Sequence, residues 1–169
     1  EENYRFERLW PMLPQPWYFD RARHLAVDQQ GNVYVTNQLF KQLRKFTADG
    51  HLVRQWVFEE EPVAIQASRK TDKVYVTYAK WLPTGFGTAT VRVFNAAGEV
   101  VTKWDETTPL EELLPAAFAL DGDDNVYLLK KVVFSPEVHQ LILQKFTSDG
   151  QLVSKWPIEP LDNKSRWEI

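Results

Sequence analysis

Apolar and polar residues alternate with a period of two along most of the chain, and turn residues break the alternation at regular intervals. In 24–37, Leu25 and Val27 alternate with Ala26, and Val33 and Val35 with Tyr34 and Thr36. Gln29–Asn32 supplies a turn in which Gly31 can take positive φ, so the segment predicts a hairpin. A second hairpin follows in LRKFTADGHLVRQW (43–56), turning at Asp49-Gly50, a dipeptide favoured in tight hairpin turns. The pair recurs as 62–79 with 91–104, and again as 115–131 with 141–156. Residues 4–10 read as a lone strand whose Leu9-Trp10 resembles the hairpin ends. The loop after it (11–23) is broken by Pro11, Pro14 and Pro16. Thr108-Pro109 before Leu110–Leu114 predicts only a short loop helix.

The second hairpins are echoes of one phrase. Phe46, Phe94 and Phe146 align, as do Gly50, Gly98 and Gly150, and Trp56, Trp104 and Trp156. Self-similarity at this period marks repeat architectures. Each unit holds four antiparallel strands, the blade of a β-propeller. The expected fold is all-β, with blades at 24–58, 62–105 and 115–158 and an extra strand at 4–10.

The phrases V-D-x-x-G-N-V-Y-V (27–35), K-F-T-x-D-G-x-L-V (45–53 and 145–153) and D-D-N-V-Y (123–127) resemble the NHL-repeat β-propellers. The likeness runs from about residue 4 to 158. It departs in the middle unit, where 68–72 (SRKTD) replaces the Asp…Gly-Asn turn, and in lacking the usual Asn-Arg after the second strand. The lead-in 10–19 is similar to that of some large bacterial NHL-repeat proteins. The Gly-His and Trp-Asp dipeptides of WD40 propellers occur at 50–51 and 104–105, but at the wrong places in the unit. The resemblance implies a six-bladed ring, of which three units make half, and favours an extracellular or cell-envelope setting. The start at Glu1 without Met reads as a mature or trimmed end.

A half-ring exposes two blade faces. Leu52, Trp56, Val100, Trp104, Leu152 and Trp156 are expected to alternate onto one face of the outer strands, so the chain should self-associate or take further blades through its open faces.

Composition narrows the function. Aromatics make up 14% of the chain, with 7 Trp, which suits strands. Net charge is −3 and basic residues are scattered, which argues against a nucleic-acid partner. No apolar run reaches the roughly 20 residues of a membrane span. The absence of cysteine excludes disulfides and thiol chemistry.

The three histidines are scattered. His51 follows a hairpin turn, His24 opens a first strand near the axis, and His139 falls in an expected loop. No zinc set or cofactor motif is evident. Asp121–Asn125 leads into Val126 and Val132 where a calcium loop needs its Gly and its Glu, and reads as a polar turn. Glu59–Glu61 and Glu111-Glu112 read as solvated loop acids rather than a catalytic pair.

Loops between blades and between second and third strands share the face with the longer connections, which is where function usually sits. It carries Trp17, Phe19, Arg21, Lys80 and Phe134. The candidate ligand-binding residues are Tyr18, Arg23, His24, Trp81, Phe86 and His139, with no catalytic, metal or cofactor residues. The expected function is a non-catalytic scaffold for a protein, peptide or glycan. The alternative is a metal-dependent propeller lyase or lactonase whose axial site needs further blades. RNA binding, known in some animal relatives, conflicts with the acidic loops.

Overall fold

The computed structural model describes Phe19 and residues 21–81, 87–106, 117–135 and 138–158. The predicted strand at 4–10, the loop helix at 108–114 and the site residues Tyr18 and Phe86 lie outside them. The described residues form twelve strands and no helix. Strands β1 (Ala22–Val27), β2 (Val33–Asn37), β3 (Gln42–Phe46) and β4 (Leu52–Val57) make the first antiparallel sheet. β5 (Glu61–Ala67), β6 (Val74–Trp81), β7 (Gly87–Phe94) and β8 (Val100–Glu106) make the second. β9 (Ala117–Leu120), β10 (Val126–Ser135), β11 (Val138–Phe146) and β12 (Leu152–Ile158) make the third. Each sheet is a meander, and the lead strands β1, β5 and β9 lie next to one another.

Two apolar cores hold the sheets face to face. Between the first and second, Tyr34 and Leu43 meet Ile65, Val74, Val76, Tyr78 and Phe94. Between the second and third, Tyr75, Val91 and Val93 meet Phe118, Val126, Leu128 and Phe146. Successive residues of β6 therefore enter different cores. This is why its sequence reads as a nearly continuous apolar run: a strand covered on both faces has no solvent side to spend on polar residues.

The first turn of the outer sheets is built around an aspartate. Asp28 Oδ1 accepts the backbone N–H groups of Gln30 and Asn32, at 3.0 and 2.8 Å. Its Oδ2 accepts from Asn32 Nδ2 and the Tyr34 hydroxyl, at 2.9 and 3.1 Å. Asp121 repeats this with Asp123, Asn125 and Tyr127, so the 121–125 segment is the polar turn expected of it. In the second sheet Ser68 stands in for the aspartate and accepts from the backbone of Lys70 and Thr71. The Tyr75 hydroxyl is left buried without a partner.

Two expectations are corrected. His139 is not in a loop: β10 and β11 pair as far as Val133↔His139 and Ser135↔Val138. Trp81 likewise ends β6, opposite Gly87. The alternating β-formers simply continue the ladder beyond the point where the repeated phrase stops. The second correction concerns the outer strands. A register shift recurs in each, between Arg54 and Leu52, Thr102 and Val100, and Ser154 and Leu152. The extra residue of such a bulge reverses the alternation. Val100 therefore pairs with Phe94 of one core while Trp104 pairs with Val91 of the other. The leucine or valine and the tryptophan of each outer strand lie on opposite faces, not on one.

Candidate binding groove

The three lead strands enclose a groove of about 240 Å³, lined by His24, Val63, Ala64, Ile65, Gln66, Ala117 and Phe118. His24 reaches it because β1 shifts register between Ala22 and Leu25. The Thr36 hydroxyl holds that irregular stretch: it accepts from the His24 N–H at 3.3 Å and lies 3.2 Å from the His24 carbonyl. β5 uses the same device, where the Ala64 N–H donates to the Thr77 hydroxyl at 3.0 Å beside the shift between Pro62 and Ala64. A bulge leaves a strand donor unpaired, and a threonine on the neighbouring strand takes it up.

Burial, with the positive charge of Arg23 next to it, holds the His24 imidazole below the usual histidine range. Near neutral pH His24 therefore presents one donor and one acceptor at the groove, not a cation.

The neighbouring loops are tied down. Gln38 Nε2 donates to Glu61 at 3.0 Å and Lys41 Nζ to the Glu59 carbonyl at 2.8 Å. Arg92 pairs with Glu60, and its guanidinium stacks 4.5 Å from the centre of the Tyr78 ring. Glu61 thus ties the first sheet to the second and Glu60 pairs onto β7 of the second, rather than both being the solvated acids their sequence suggested.

Of the candidate residues, Arg23 and His24 fall together on β1, and His24 lines the groove while Arg23 does not. Trp81 and His139 belong to second and third strands of other sheets. Val63, Ala64, Gln66 and Phe118 were not singled out from the sequence. The available signal was their place on lead strands, since the first strand of every unit points at the axis. Among the described residues no group of three or more His, Asp or Glu could hold a metal ion, and no helix is long and apolar enough to cross a membrane.

Each sheet meets the next through a tryptophan and a glycine. Trp56 of β4 lies against Gly98, in the turn between β7 and β8, and Trp104 of β8 against Gly150, in the turn between β11 and β12. Arg54 caps the first joint, donating to the Ala97 carbonyl and stacking on Trp56. Radially repeated four-stranded sheets that lock in one direction define part of a β-propeller.

Solved structures agree with that class. A protein of unknown function from Bacteroides caccae matches at a TM-score of 0.51 and 15% identity, over 85% of this chain and 47% of that one. BamB from Moraxella catarrhalis, a β-propeller, matches at 0.52 and 17%, over 78% and 36%. This chain thus spans less than half the length of either. No family model matches it, and no curated protein does.

Proposed function

We propose that the chain is a non-catalytic binding scaffold, part of a propeller of NHL type, that takes a protein or peptide segment at the groove between its lead strands. The groove itself carries this reading. It is walled by the apolar Val63, Ile65 and Phe118, with a neutral imidazole at one side. Its walls belong to β1, β5 and β9, each the end strand of its sheet, so unpaired backbone groups run beside an apolar slot. An extended peptide uses that combination, main-chain hydrogen bonds for affinity and small pockets for side chains; a glycan asks for more convergent polar groups.

Fluorescence anisotropy against an array of labelled extended peptides tests it. Binding should be found, and Ala117→Trp, which fills the groove, should weaken it by at least about tenfold. Binding that survives Ala117→Trp unchanged overturns the groove as the site. Stoichiometric calcium or zinc in the purified protein, with turnover lost on chelation, overturns the scaffold reading in favour of a propeller lyase or lactonase.

A further inference from the structure

The outward face of the third sheet duplicates the covered face of the first, side chain for side chain. Tyr34, Leu43, Lys45 and Trp56 of the first sheet correspond to Tyr127, Leu143, Lys145 and Trp156 of the third. The pairings Tyr34↔Lys45 and Leu43↔Trp56 recur as Tyr127↔Lys145 and Leu143↔Trp156. Asp28 and Asp121 anchor the two tyrosines alike, and both lysines lie 5.2 Å from their tyrosine rings. What differs is cover. Under the second sheet Tyr34 is 4% and Leu43 1% exposed. In the third sheet Tyr127 and Leu143 are only half-buried, Ala119 is exposed where its counterpart Ala26 is buried, and Trp156 is 43% exposed.

We propose that this face is the docking surface for a further propeller blade of the same kind as the second sheet. Such a blade presents a branched aliphatic and aromatic face like that of Ile65, Val74, Val76 and Phe94, and a positive-φ glycine in its outer hairpin to seat Trp156 as Gly98 seats Trp56. A second copy of this chain does not meet the need. The matching face of its second sheet is already covered by its own first sheet. On the matching face of its first sheet Leu25, Val27 and Leu52 are exposed, but the glycine seat is filled: Gly50 is buried, and Phe46 is 0% exposed with the Phe19 ring 6.0 Å away. The joint has a polarity, and only its tryptophan half is open here.

The chain has no cysteine, so single thiols report on the face. Ala119→Cys should react with a maleimide nearly as fast as a free thiol, and Ala26→Cys slower by on the order of 100-fold, since only local opening exposes it. Appending a copy of residues 58–106 after Ile158 should slow Ala119→Cys to the rate of Ala26→Cys. Replacing by Val the glycine of that copy equivalent to Gly98 should restore fast labelling. The proposal is overturned if the appended copy leaves Ala119→Cys as reactive as before, or if the copy is digested by protease while residues 22–158 resist. It is overturned equally if the unextended chain sediments as a dimer with Ala119→Cys protected, which would make a second copy the occupant.

Discussion

The indole of Trp104 lies so close over Gly150 that a β-carbon on that glycine would fall 2.5 Å from the ring. Gly150 also has φ +91°, a conformation that L side chains rarely adopt. Sterics and backbone thus select glycine independently, and the same holds for Gly98 under Trp56.

Gly98→Ala and Gly150→Ala should each cost about 2–4 kcal/mol, combining a left-handed alanine with overpacking against an aromatic ring. Gly122→Ala, whose β-carbon meets nothing within 4 Å, should stay within about 0.5 kcal/mol of the parent. Urea unfolding midpoints compare the three; equal losses would remove the interlock from the account.

Trp104→Ala should destabilise by about 3 kcal/mol, because the indole joins a buried core. Trp156→Ala, at an equivalent position on an uncovered face, should cost less than about 1 kcal/mol in the unextended chain. Thermal unfolding of the two variants reads the difference directly.

Asp121 owes its well-lowered pKa first to the hydrogen bond from Asn125 Nδ2, with backbone N–H groups and Lys145 adding to it. Its folded value lies below its unfolded one, so its contribution is present above the ordinary aspartate value of about 4 and fades as pH falls further. Asp121→Asn should therefore flatten the decline of Tm below about pH 4. Melting curves at a series of acidic pH values check this, and a parallel decline in both proteins would contradict it.

His24 should titrate below the ordinary histidine value of about 6.5 when followed by NMR. Arg23→Ala removes the adjacent charge and should move the midpoint upward, though burial keeps it depressed. Folding disfavours the charged imidazole, so His24 lowers stability as pH falls through 6.5 and has no such effect above it. An unmoved midpoint in Arg23→Ala would separate the two residues.

Breaking the Arg92–Glu60 pair should cost more than deleting it. Arg92→Met leaves Glu60 half-buried without its partner and should lose about 3 kcal/mol, whereas the double change with Glu60→Gln should recover part of that. A double-mutant cycle in urea measures the coupling.

Local chemistry by itself determined the strands, their hairpins and their grouping in fours. Period-two alternation, Asp28 and Asp121 at their turns, and the recurring glycines act over a few residues, so they survive in a one-dimensional reading. The Asp-Tyr anchors of the outer sheets and the all-β class follow from the same short-range rules. Only tertiary structure decided how faces are used. A bulge of one residue in each outer strand sends Val100 and Trp104 to different cores, and no composition or spacing announces it, because it depends on which residues pair across the strand. The groove is likewise invisible in the chain: His24, Gln66 and Phe118 are distant in sequence and meet only because three lead strands converge on one axis. The loops expected between second and third strands misled for the opposite reason. Strand pairing is cooperative and extends as far as both partners permit, past the point where the repeated phrase ends.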